Sequence, residues 1–143
     1  MRNEQLLTAI CSALSLADED INALLKLCGQ TGDPELLAVN CSNAELRCVL
    51  EGLILAERGP RADGELPVIE NTELSNNEVL KKLRIAFNFQ QEDMQLVFEE
   101  GGATLSRSEF GALFRKPDNK HYRACSDELL LQFLSGFQPR LDS

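Results

Sequence analysis

Apolar residues recur along this chain at intervals of three and four, the spacing that lines one face of an α-helix. Leu6, Leu7, Ile10, Ala13 and Leu14 form the first such stripe, and Asn3 is expected to cap that helix. Asp18-Glu19-Asp20 opens a second helix, since acids suit the positive end of a helix dipole. Its apolar face is Ile21, Leu24, Leu25 and Cys28, and Gly29 stops it. Asp33-Pro34-Glu35 predicts a short third helix holding Leu36, Leu37 and Val39. Ser42 and Glu45 make a capping box for a fourth, which buries Leu46, Val49, Leu50, Leu53 and Ile54 and runs to about Glu57.

Residues 58–74 break this rhythm with Pro, Gly and charge, and read as a connection. Leu66, Val68 and Ile69 are expected to tether it to the core. The rhythm then resumes. Ser75 and Glu78 open a helix with Val79, Leu80, Leu83, Ala86 and Phe87 inward. Another helix, over residues 91–100, carries Met94, Val97 and Phe98 and stops at Gly101-Gly102. Ser106 and Glu109 open a third, with Phe110, Leu113 and Phe114 inward and Pro117 as its end. After a turn over 118–124, Cys125-Ser126 leads into a final helix. Leu129, Leu130, Phe133, Leu134 and Phe137 face in, and Pro139 is its expected end. No segment alternates as a strand does.

The two series resemble each other. A shift of 73 residues places Asn3 on Asn76, Leu7 on Leu80, Ala13 on Ala86, Glu19-Asp20 on Glu92-Asp93 and Gly29 on Gly102. A shift of 84 places Cys41-Ser42 on Cys125-Ser126, Leu50 on Leu134 and Gly52 on Gly136. The second copy is therefore longer by 11 residues, inserted before Cys125. The expected fold class is all-α: two tandem four-helix repeats packed into one compact helical domain with pseudo-twofold symmetry. Residues 1–57 form the first repeat, 58–74 the linker and 75–138 the second repeat.

Composition agrees with a helical core. Of 143 residues, 43% are hydrophobic but only 6% aromatic, with no Trp, so Leu, Ile, Val and Ala must fill the interior. The net charge of −9 argues against general adhesion to nucleic acid or anionic membrane. It is unevenly spread: residues 1–73 carry 5 basic and 13 acidic side chains, residues 74–143 carry 9 and 10. Five cysteines without a C-x-x-C pair, and no signal-like or membrane-spanning run, point to a cytoplasmic protein with free, mostly buried thiols.

The run NNEVLKKLRIAFNFQQEDM, followed by LSRSEFGALFRKPDNKHYRACSDELLLQFLSGF, resembles the second repeat of the bacterial YehS-like family. These are small cytoplasmic proteins with a domain of unknown function, themselves tandem repeats. Leu83-Arg84-Ile85-Ala86, Ala112-Leu113-Phe114-Arg115 and the Cys125…Asp127…Phe133-Leu134…Gly136 spacing carry the resemblance. It implies an all-helical fold and no particular reaction.

Candidate chemistry is sparse. Asp118, His121, Cys125 and Asp127 gather the rare residues, and a thiolate beside an imidazole is a nucleophile. Yet Cys125 has a repeat partner, Cys41, with no His near it, which favours packing over catalysis. One His and scattered Cys give no zinc spacing, and no Gly-rich phosphate loop is present, so no metal or cofactor is expected. What is peculiar to the second half is basic: Arg107, Arg115, Lys116, Lys120 and Arg123, with His121 and Tyr122 among them. These seven are the candidate interaction surface. The leading expectation is a non-enzymatic protein-interaction module, for a protein partner or for self-association. Nucleic-acid association through residues 107–123 is the alternative, weakened by the net charge, and a Cys/His enzyme ranks third.

Overall fold

A computed structural model describes the backbone of residues 1–141 and the side chains of residues 1–137. Within them the chain forms eight helices and no strand. In order they are α1 (Asn3–Leu14), α2 (Asp18–Leu27), α3 (Pro34–Leu37), α4 (Asn43–Arg58), α5 (Asn76–Phe87), α6 (Gln91–Glu100), α7 (Arg107–Leu113) and α8 (Asp127–Leu141). No described helix is long and apolar enough to cross a membrane.

The capping boxes fold as their sequences direct. Ser42 and Glu45, Ser75 and Glu78, and Ser106 and Glu109 each exchange side-chain bonds for backbone N–H groups, starting α4, α5 and α7. Asp33 accepts from the Glu35 N–H to start α3, and Ser126 accepts from the Leu129 N–H to start α8. Asn3 does something else. It is the first helical residue, after an Arg2 N-cap, and its side-chain amide donates to the Cys41 carbonyl (3.1 Å) and to Asn43 Oδ1 (2.8 Å). A residue that looked like a local cap is a long-range tie between α1 and the start of α4.

Three other expectations are corrected. Pro139 does not end α8, which runs on to Leu141; proline withholds one N–H donor but still takes a helical φ. Val68 does not tether the connection: it is 87% exposed, while Pro67 is buried and Ile69 packs against the core. The end of the connection is held instead by Arg47, which donates to the carbonyls of Thr72 (2.7 Å) and Glu73 (2.8 Å). Lastly, α7 stops at Leu113, four residues short of Pro117, so Phe114 is only partly buried.

The helices form one hydrophobic core. α2 packs on α4 and α6 on α8, while α1 crosses to α8 and α5 crosses to α4. The ion pair of Lys82 with Glu51 spans the α4–α5 contact. Three glycines set the tightest approaches. A methyl group on Gly101 would lie 1.7 Å from the Gln132 carbonyl oxygen, one on Gly136 would lie 1.9 Å from that of Val97, and one on Gly52 would lie 2.2 Å from that of Leu24. All five cysteines are free; Cys28, Cys41, Cys48 and Cys125 are buried and Cys11 is partly exposed.

Candidate interaction surface

One side chain fastens the loop between α7 and α8. Asn77, in the first turn of α5, donates through Nδ2 to the carbonyls of Leu113 (2.9 Å) and Arg123 (2.8 Å). Its Oδ1 accepts from the Cys125 N–H (2.8 Å). Both ends of the loop are thereby fastened to α5, and the Arg123 N–H bonds the Ala112 carbonyl across its neck (3.0 Å). Asn119 turns the tip, accepting from the His121 N–H through its side chain and from the Tyr122 N–H through its carbonyl. Asn77→Ala removes three bonds at about 1 kcal/mol each. It is therefore expected to lower stability by about 2–3 kcal/mol in urea unfolding. Asn77→Asp keeps only the bond from Cys125 and is expected to fall close to Ala.

Between this loop and α5 lies a cleft of about 170 Å³. Leu113, Phe114 and Pro117 supply its apolar surface, and Lys81, Arg115, Lys116 and Tyr122 its polar rim. Glu78 also reaches it, but that carboxylate is engaged by Arg47 (3.4 Å) and by the α5 cap. A second cleft, of about 370 Å³, continues the first along α5 and shares Lys81 and Phe114 with it. There Arg84 lies over two rings, 5.5 Å from the Phe110 centroid and 5.0 Å from that of Phe114. Its Nε donates to the Phe89 carbonyl (3.1 Å), so this guanidinium is a fixed part of the wall.

Of the seven residues singled out in the sequence, the structure brings Arg115, Lys116 and Tyr122 together at one cleft. Arg107, Lys120 and His121 are exposed but lie outside its lining. Arg123 is paired with Glu109 at 3.6 Å. Among the described residues, no carboxylate stands within ion-pair distance of Arg107, Arg115, Lys116 or Lys120. Lys81 and Asn77 belong to the site and carry no local sequence signal, because 30 or more residues separate them from the loop they meet.

His121 and Cys125 make no hydrogen bond with each other. His121 lies in the turn and Cys125 in the irregular segment after it, not on a shared helix face. Burial pushes the Cys125 thiol up to about 11, against a lowering by Arg123, so it is protonated at neutral pH. Its Sγ donates to the Ser126 carbonyl. Asp127 instead takes the Met1 ammonium at 2.8 Å and the Asn76 amide at 2.8 Å, and these bonds hold its carboxyl below the usual range. Among the described residues no group of three His, Cys, Asp or Glu side chains is placed to hold a metal ion.

A family described as "Protein of unknown function (DUF1456)" matches residues 76–140. The "Uncharacterized protein YehS" of Escherichia coli (strain K12) is 32% identical over 152 aligned positions, covering 98% of this chain and 96% of the relative. No solved structure matches the chain. The family matched at 76–140 is the one resembled by the motifs at 83–86 and 112–115, and the relative spans both halves: this chain belongs to the YehS family.

Proposed function

We propose that this protein is a cytoplasmic, non-enzymatic protein-interaction module made of two copies of one four-helix unit. The segment inserted into the second copy docks an acidic segment of a partner protein. The observation that carries this reading is the cleft at Lys81, Arg115 and Lys116, whose cations stand over an apolar floor of Leu113, Phe114 and Pro117. Cations around a small apolar floor suit a chain that carries carboxylates beside an aliphatic anchor. Asn77 holds the loop in place before any partner arrives, which reduces the ordering entropy of binding.

The two-unit reading draws support from paired contacts. Asn76 donates to the Cys125 carbonyl and to Asp127 as Asn3 does to Cys41 and Asn43. Ser15 and Asn88, 73 apart, both take left-handed backbone after α1 and α5. Asp20 and Asp93 each accept the N–H three residues before them, at the starts of α2 and α6. The thiols of Cys41 and Cys125 each donate to the next residue's carbonyl.

Nucleic-acid association remains the second reading, favoured by Arg107, Arg115, Lys116 and Lys120, which form no ion pair among the described residues. Against it, the Phe114 ring already lies against Arg84 and Tyr122 is partly buried, which leaves little aromatic face for bases. Arg115→Glu/Lys116→Glu tests both, since exposed substitutions of this kind change stability by only about 0.5 kcal/mol. Affinity capture from native lysate should retain a partner with an acidic segment on the parent protein and lose it on the variant. Identical captures would overturn the reading. Saturable, salt-dependent binding of single-stranded DNA or RNA, lost in the variant, would replace it with the second.

A further inference from the structure

The first half has its own cleft, of about 160 Å³, on the far side of the sequence from the basic loop. Leu7, Cys11, Leu16, Ile21, Leu37 and Ala38 line most of it. No Lys or Arg lines it, and Asp18 does. Asp18 and Asp20, after burial, raise the Cys11 thiol, so acidic charge is felt inside. Asp33 and Glu35 flank Pro34, another wall residue.

The second half displays what fills the matching place. The offset of 73 that pairs the two units carries Cys11 to Arg84, Leu16 to Phe89, Leu37 to Phe110 and the Asp33 cap to the Ser106 cap. Beyond that point α3 ends while α7 continues by one more turn, to Leu113. The added turn delivers Phe114, whose ring sits 4.8 Å from that of Phe110 and 5.0 Å from the Arg84 guanidinium. Residues 1–57 hold no Phe, Tyr or Trp that could supply such a ring. Cys11 and Leu37 face the gap where Arg84 and Phe110 face a ring.

We propose that the first-half cleft is a docking pocket for an aromatic side chain carried by a basic segment of another protein. The aromatic residue would enter between Cys11, Leu37 and Ala38, as Phe114 enters between Arg84 and Phe110. Its neighbouring cations would meet Asp18, Asp20, Asp33 and Glu35. A second copy of this chain is not the donor of its own α7, because Phe110 is 2% exposed and already committed to its own core. The pocket rests on the two-unit reading for its template. It uses none of the residues of the basic cleft.

The probe is a synthetic peptide of residues 106–117, SRSEFGALFRKP, which carries the two rings and the basic end. The readout is alkylation of Cys11 in the folded protein at mildly alkaline pH, since Cys11 is the one partly exposed thiol. Peptide at ten times its Kd should slow alkylation about tenfold, because about one site in eleven is then free. Replacing both Phe by Ala in the peptide should weaken binding about tenfold or more. Ala38→Phe, at an exposed wall position, should fill the pocket and abolish protection. Arg115→Glu/Lys116→Glu should leave protection unchanged, which separates this proposal from the basic-cleft reading. No saturable slowing, or equal slowing by the Ala peptide, would overturn it. So would protection that survives in folded Ala38→Phe. Were that variant not to fold, the comparison of the two peptides still decides.

Discussion

Gly136→Ala is expected to lower the unfolding free energy by about 3 kcal/mol, the upper part of the range for overpacking a close contact. The new methyl would stand 1.9 Å from the Val97 carbonyl oxygen, far inside van der Waals contact. A carbonyl in α6 has no rotamer by which to step aside, so α6 and α8 must separate along much of the second half's core. Phe98 and Phe133, whose rings lie 4.9 Å apart, would lose contact in the process. Helix propensity works the other way, favouring Ala over Gly by about 1 kcal/mol. Gly111 in α7 isolates that term, because a methyl there meets nothing within 4 Å. Gly111→Ala should therefore be neutral or stabilising by up to about 1 kcal/mol. Urea unfolding of the two variants checks the pair; equal effects would mean that α6 and α8 do not approach as described. Gly52→Ala should behave like Gly136→Ala, because its methyl would stand 2.2 Å from the Leu24 carbonyl oxygen.

Stability should fall steeply in mild alkali. Burial pushes the thiols of Cys41 and Cys48 up to about 12 and that of Cys125 up to about 11, from an ordinary value of 9.0. Their side chains are 5%, 0% and 6% exposed. A thiol kept neutral in the fold but free to ionise in the unfolded chain favours unfolding as pH rises. The effect is absent below pH 9 and grows from there until the folded values of about 11 and 12 are reached. By pH 10 each of the three contributes on the order of 1 kcal/mol of destabilisation, or a few kcal/mol together. That is a large part of the roughly 5–15 kcal/mol that holds a domain folded. A Cys41→Ala/Cys48→Ala/Cys125→Ala variant starts from lower stability but should lose much less between pH 8 and pH 10. Parallel curves for parent and variant would show that these thiols ionise as readily folded as unfolded.

What was legible in the sequence was local. A capping box closes within four residues, so Ser42, Ser75 and Ser106 mark their helices without help from the rest of the chain. Helical periodicity likewise marks the buried face of α8 from Leu129 to Phe137. What was hidden is long-range. Asn3 and Asn77 look like ordinary helix-start residues, yet both spend their amides on backbone groups 36 or more residues away. The basic character of the loop was readable from Arg115 and Lys116. Its partnership with Lys81 was not, because only the packing of the loop on α5 brings them together. The sequence shows Arg123 and Glu109 in the same segment, but only folding sets them 3.6 Å apart. The first-half cleft was hidden for a different reason. Its walls come from α1, α2 and α3, through Cys11, Ile21 and Leu37, and the periodicity within each helix does not say that the three faces meet around a gap.

We propose that the loop over residues 113–124, held against α5, is the face through which this protein meets a partner. Amide hydrogen exchange along the whole chain, with and without the captured partner, tests it most directly. Slowed exchange at 113–124 and in the first two turns of α5, lost in Arg115→Glu/Lys116→Glu, is the predicted result. Protection confined to other helices, with the loop exchanging as fast in the complex as in the free protein, would contradict it.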